Sequence, residues 1–177
     1  MKYWSWLSAL VLLIQAPQDQ WQLSVAKDPD TGKAAEMFVL SGSFLVTPAN
    51  LSNTDKPSII VLCSDGHLVR QYGVVRSILW NGGAKIETVT DGGRKKSFSA
   101  EVMASRDPLV TQDADRRTFS TFDLRNLLSE MLRGKVVRMS VQDDFGPNYR
   151  GNPLPQVLME FRIPDPAAIV AKCGIKL

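Results

Sequence analysis

The chain has 177 residues and carries one histidine and two cysteines. With His67 as the single imidazole, a metal site built on several histidines is excluded, and every Ser-His or Cys-His mechanism depends on that one ring. Cys63 and Cys173 lie far apart and form no C-x-x-C, so the signature of a thiol redox motif or a zinc site is missing. Neither G-x-S-x-G, nor a phosphate-cradling G-x-x-x-x-G-K-[ST] loop, nor H-E-x-x-H occurs, which argues against the common hydrolase and nucleotide-binding classes, though not against an unfamiliar enzyme. Charge is not concentrated either: the net value is +3, with acids scattered among the bases, short of the basic footprint that nucleic-acid binding requires. There is no internal repeat, low-complexity tract or linker, and no apolar run reaches the roughly 20 residues of a bilayer-spanning helix.

What is present begins at the N-terminus. MKYWSWLSALVLLIQAPQDQ has one cation, Lys2, then an apolar run from Trp4 to Ile14 broken only by Ser5 and Ser8, then polar Gln15, Gln18, Asp19 and Gln20. That order is the order of a secretory signal, with processing expected within residues 16–20; the alternative is a buried N-terminal helix. Residues 1–20 are thus read as a signal peptide and 21–177 as one domain, of a size that suits a single core. The expected location is periplasmic or secreted, without an integral membrane anchor. Two cysteines in an oxidising compartment read as one Cys63–Cys173 disulfide, closing a loop of about 110 residues that stabilises by up to roughly 4–5 kcal/mol. Two reduced, buried thiols are the alternative.

The pattern along 21–177 is strand, turn, strand, with two helices late. WQLSVAK predicts a strand and KDPDTGK a turn, followed by a longer strand, EMFVLSGSFLV, with a bulge or kink at Gly42. SIIVLC and HLVRQYGVV flank Ser64-Asp65-Gly66, and AKIETVT and RKKSFSAEVMA flank Asp91-Gly92-Gly93; both are hairpin signals, because Asp-Gly supplies the positive φ angles of a type I′ turn. Phe98, Ala100, Val102 and Ala104 alternate with Ser97, Ser99 and Glu101, the mark of a half-buried strand. Leu124, Leu127, Leu128, Met131 and Leu132 recur at helical spacing and predict a helix over about 121–133, with a capping-box-like start at Ser120 and Asp123 and a stop at Gly134. VVRMSV and QVLMEFRI read as strands. A short helix over about 166–173 follows, with Asp165 as its cap, Pro166 at its first position and Gly174 after its end. The fold class is therefore α+β: an antiparallel, sandwich-like sheet carrying one amphipathic helix and a short C-terminal helix that needs docking.

An early Trp21 strand, P-S-I-I-V-L-C-S-D-G, the hairpins, the amphipathic helix, V-L-M-E-F and A-A-I-V-A-K-C follow one another in this order. The series resembles the exported two-cysteine domain of VasI-type proteins associated with bacterial type VI secretion, and of related phage and exported proteins. The resemblance covers most of residues 21–173. It implies an exported accessory protein whose partner belongs to the cell envelope or a secretion apparatus, and it brings no catalytic residue with it.

Candidate sites are few. His67, beside Asp65 and opposite Ser64 in the simplest hairpin register, offers a general base for an uncharacterised hydrolase; an exposed turn residue is the alternative and the favoured reading. Asp28-Pro-Asp30-Thr-Gly32 has a hint of a calcium loop, but position twelve of an EF-hand frame is Val39, so a β-turn is expected and no metal site. Arg94-Lys95-Lys96 and Arg116-Arg117 are short basic clusters, read as an anionic contact or as solvated, edge-protecting charge. Trp80 is expected in the core. Asn50-Leu51-Ser52 has the form of a glycosylation sequon. The segment DDFGPNYRGNPLP, 143–155, is too long for a tight turn and holds Phe145, Asn148, Tyr149 and Arg150, residue types that anchor interfaces. It is the best binding-site candidate; the alternative is an irregular connection whose aromatics fold back onto the core. The function expected is a non-enzymatic binding or accessory module that needs no cofactor and binds no nucleic acid; an inhibitor of a secreted enzyme, or a hydrolase using His67, is the alternative.

Overall fold

Local chemistry sets the two tight turns as expected. Asp65 and Gly66 have φ of 52° and 76°, and Asp91 and Gly92 have φ of 47° and 72°. At Asp65-Gly66 the turn is a two-residue hairpin, with Ser64 paired to His67, and its positive angles match the twist of the flanking strands. Asp91-Gly92 forms a tight turn, closed by the Gly93 amide on the Thr90 carbonyl (2.8 Å), within a longer connection, since β6–β7 pairing ends at Thr88 and Lys96. The computed structural model describes residues 20–28, 31–46, 56–76, 82–104, 116–121, 123–144 and 156–177. Its strands are β1 (Gln22–Lys27), β2 (Ala34–Ser41), β3 (Ser43–Phe44), β4 (Ser58–Ser64), β5 (His67–Arg76), β6 (Gly82–Thr90), β7 (Lys96–Ala104), β8 (Arg116–Thr121), β9 (Val136–Asp143) and β10 (Gln156–Arg162). The described helices are α1 (Leu124–Leu132) and α2 (Ala167–Cys173). The architecture is the expected α+β, with one large antiparallel sheet.

All ten described strands belong to one sheet, in the order β1-β2-β4-β5-β8-β7-β6-β9-β10-β3. The first and last members of the closed part, β2 and β3, are separated only by Gly42. The amide of Gly42 donates to the Pro57 carbonyl (2.8 Å), continuing the β2–β4 ladder, while the amide of Leu45 donates to the Leu158 carbonyl (2.9 Å), continuing β3–β10. The sheet therefore closes on itself through this strand, so that both layers of the expected sandwich come from one folded-over sheet. The kink read at Gly42 has a steric cause: a Cβ there would lie 2.6 Å from the Glu160 carbonyl oxygen and 2.7 Å from the Phe161 ring. Only glycine lets the two backbones approach closely enough to join.

The enclosed core is apolar and continuous. It contains Phe38, Leu40, Ile59, Val61, Ile86, Val102, Phe119, Val141, Met159 and Phe161 from the sheet, with Leu127, Leu128, Met131 and Leu132 from α1 and Ile169 and Cys173 from α2. On β7, Ala100 and Val102 are buried while Ser97 and Glu101 are exposed and Ser99 is largely so, as alternation demands. β4 is buried on both faces: Ile60 and Leu62 join Ala26, Ala35, Tyr72 and Val74 in a second apolar cluster behind the main one.

Helix α1 starts later than the spacing suggested. Ser120 and Thr121 belong to β8, a strand that no local pattern in the sequence announces, and Thr121 Oγ1 accepts from the amide of Asp123 (3.2 Å). The Asp123 carboxylate takes the Asn126 side-chain amide (2.8 Å) instead of closing a capping box. Ser120 is committed to pairing with Glu101. At the other end, Gly134 donates to the Met131 carbonyl (3.3 Å) and ends the helix. α2 begins with Asp165 Oδ1 accepting from the amide of Ala167 (3.0 Å) and stops at Gly174, in the left-handed region with φ 58°.

Cys63 and Cys173 form the expected disulfide, with Cα atoms 5.1 Å apart and both residues buried. It fastens α2 across the end of β4. Lys172 adds an ion pair to Glu36 on β2 (2.8 Å). A structural disulfide of this kind belongs to a chain folded in an oxidising, non-cytoplasmic environment. No helix among the described residues is long and apolar enough to cross a membrane.

Candidate functional site

Antiparallel pairing gathers strand ends at two opposite poles. One pole holds the start of β2, the turn at 64–67, the turn at 90–96, the end of β8, the start of β9 and the end of β10. Both helices sit at this pole: α1 follows β8 directly, and α2 follows β10 and is bonded to Cys63 at the end of β4. Asp91 ties the turn to the chain leaving α1, its carboxylate accepting from the amides of Lys135 (2.9 Å) and Val136 (2.8 Å). This pole is closed and stapled.

At the opposite pole lie Phe44, Ser58, Arg76, Gly82, Ala104, Arg116, Asp143 and Gln156. These are the described residues from which the connections 45–57, 77–81, 105–115 and 144–155 depart. All the longer connections therefore emerge from the same end of the closed sheet, away from the disulfide. The segment at 143–155 is one of them. Its base is well anchored: Gln142 pairs with Gln156, Asp143 pairs with Ala84 and is buried, and the amide of Asp144 donates to the Gly83 carbonyl (3.0 Å). Phe145, Asn148, Tyr149 and Arg150 lie outside the described residues, as do Trp80, Asn50-Leu51-Ser52 and the N-terminal segment 1–19. On the described rim, Leu45 and Val46 are exposed apolar side chains just past β3.

His67 stands exposed at the stapled pole, opposite Ser64 in the β4–β5 register. Its neighbours are turned to other tasks. The Asp65 carboxylate faces Lys33 (3.7 Å), and Ser64 Oγ donates to the Ala34 carbonyl (3.4 Å). No side-chain hydrogen bond joins Ser64, Asp65 and His67, so the orienting relay that a hydrolytic triad needs is not assembled here. The Asp28 turn forms around its own groups: Thr31 Oγ1 donates to Asp28 Oδ2 (2.6 Å) and the amide of Gly32 to the Asp28 carbonyl (2.8 Å). Among the described residues no group of three or more His, Cys, Asp and Glu is placed to hold a metal ion.

The basic cluster at 94–96 is largely neutralised within the protein. Lys95 bonds Glu87 (2.9 Å), Glu87 also takes Lys85 (2.6 Å), and Lys96 pairs with Glu130 of α1. Hydrogen bonds from Lys85 and then Lys95 hold the Glu87 carboxyl at about 2, below its ordinary 4.5. Lysine here ties the β6–β7 hairpin to the helix. The sequence could not signal this, because Glu87 and Glu130 come from different elements.

One buried polar group stands out in the core. Gln71 on β5 is 2% exposed; its Nε2 lies 4.0 Å from Met131 Sδ, and its Oε1 has no hydrogen-bond partner. It lines a narrow crevice between β5, β8 and the first turn of α1, with Ile59, Phe119, Thr121 and Leu124. Comparison of the chain with protein-family models, with curated proteins and with solved structures returned no match.

Proposed function

We propose that this protein is an exported, non-enzymatic binding or accessory module of the bacterial cell envelope, periplasmic or secreted, in the setting of type VI secretion or a phage-like system. The observation that carries the reading is the polarity of the fold: helices, disulfide and tight turns at one pole, the longer connections at the other. Loops on a rigid scaffold are the usual place for recognition, because the scaffold holds their bases while their sequence varies freely. The segment at 143–155 is the proposed contact, with Phe145, Asn148, Tyr149 and Arg150 as anchors on a base fixed by Asp143 and Gln156. The envelope setting rests on the apolar N-terminal run and on the disulfide, which needs an oxidising compartment.

The test is a triple variant, Phe145→Ala, Tyr149→Ala and Arg150→Ala, used as bait beside the parent protein in an envelope extract. The expected result is loss of the captured partner with unchanged circular dichroism and an intact disulfide. An identical set of captured proteins would remove this loop from the reading.

A further inference from the structure

β1 is the place where the sheet is left unfinished. With β2 and β3 taken as one strand, every other described strand is hydrogen-bonded on both sides, whereas β1 pairs only with β2. Its register with β2 sets Leu23 opposite Phe38 and Val25 opposite Glu36, on the face of the main core. Yet Leu23 and Val25 are 61% and 75% exposed, so this end of the sheet runs past its own core. Natural edge strands are normally blunted by charge, proline or a bulge, and Gln22–Lys27 has only Lys27 at its very end.

We infer that β1 pairs antiparallel with β1 of a second copy, making an isologous dimer through a continuous sheet. Among the described residues β1 offers the single open edge, and one edge allows no head-to-tail chain of copies, so pairing between copies stops at two. Faces narrow the register: Leu23 and Val25 of both copies share one face whenever odd-numbered residues oppose odd-numbered ones, and of these registers the one with Ser24 opposite Ser24 sets Leu23 against Val25 in each direction. Lys27 then falls opposite the partner's Trp21, an indole rather than a second cation, so no like charges meet across the new ladder. Pairing would cover the exposed Leu23 and Val25 with each other. Because the two β1 strands run in opposite directions, the two loop poles point away from each other. The dimer would present two separate binding ends, independent of whether the loop at 143–155 is the contact.

The test is the mass in solution of the exported protein by light scattering, with three variants. The parent protein and Met103→Lys, which adds charge at an exposed apolar site on β7, are expected at twice the monomer mass. Val25→Lys is expected at the monomer mass, with the Cys63–Cys173 disulfide and melting temperature retained to show that it folds. Ser24→Cys is expected to form a disulfide between the two copies, joining the substituted positions, on mild oxidation, since directly opposed residues in an antiparallel pair come within disulfide reach. A parent protein that stays monomeric at its highest soluble concentration overturns the inference and leaves β1 to a foreign strand. A Val25→Lys protein that remains dimeric, or a dimer that Ser24→Cys does not cross-link, overturns it as well.

Discussion

Phe119 on β8 lays its ring over Gly73 on β5, filling the space that any side chain at 73 would occupy. The two residues are paired in the β5–β8 register, and Phe119 is 2% exposed. This contact joins the two halves of the sheet, since β5 ends the run β1-β2-β4-β5 and β8 opens the run β8-β7-β6-β9-β10.

Gly73→Ala is therefore expected to destabilise the fold by about 2–3 kcal/mol, because the new methyl group meets the Phe119 ring directly and forces it from its packed position. Gly83 on β6 is the control: a Cβ there would find Asp144 Cβ at 3.9 Å, an ordinary contact. Gly83→Ala should be near neutral. Urea unfolding of the two variants beside the parent protein checks the difference, and equal midpoints for all three would refute the packing argument.

Removing the disulfide should act on one pole before the other. The link spans 110 residues of sequence, and its loss is expected to cost about 4 kcal/mol through the freedom restored to the unfolded chain. Helix α2 has 7 residues and cannot persist alone, so a Cys63→Ala, Cys173→Ala protein should lose amide-exchange protection in 167–175 well before it loses it in β6 and β9. Uniform loss across the sheet would show that α2 is not held chiefly by the link. In the parent protein, non-reducing peptide mapping should find the peptides holding Cys63 and Cys173 joined.

Glu87 gives a pH dependence of known sign. Its folded carboxyl is lowered from 4.5 to about 2, so the contribution of its pairs with Lys85 and Lys95 is fully present above 4.5 and is lost as pH falls from there toward 2. The lysines are half-exposed or more, so solvent and salt keep the effect small. Comparing the parent protein with Glu87→Gln by thermal unfolding should show a gap in melting temperature at pH 6 that narrows as pH falls below 4.5, closes toward 2, and is smaller in high salt. A gap that stays constant across that range would mean that the ion pairs contribute nothing.

What the amino-acid sequence determined by itself is what depends on neighbours along the chain. Asp65-Gly66 and Asp91-Gly92 favour positive φ through their own local chemistry, so both turns were legible. The alternation from Ser97 to Val102 and the leucine spacing of α1 record which face meets a core, whatever that core is made of. The pairing of Cys63 with Cys173 followed from number and compartment. Tertiary structure decided the rest, because it depends on residues brought together from afar. RRTFST reads locally as polar lead-in to a helix; pairing with β5 and β7 makes it β8 and moves the start of α1 to Leu124. Gly42 read as a kink, but only the approach of Phe161 makes it the point where the sheet closes. The lysines beside Arg94 read as open charge until Glu87 and Glu130 met them. The segment at 143–155 stood out in sequence by its length and aromatics. That it departs from the same pole as the other long connections is a property of antiparallel topology, which no local pattern encodes.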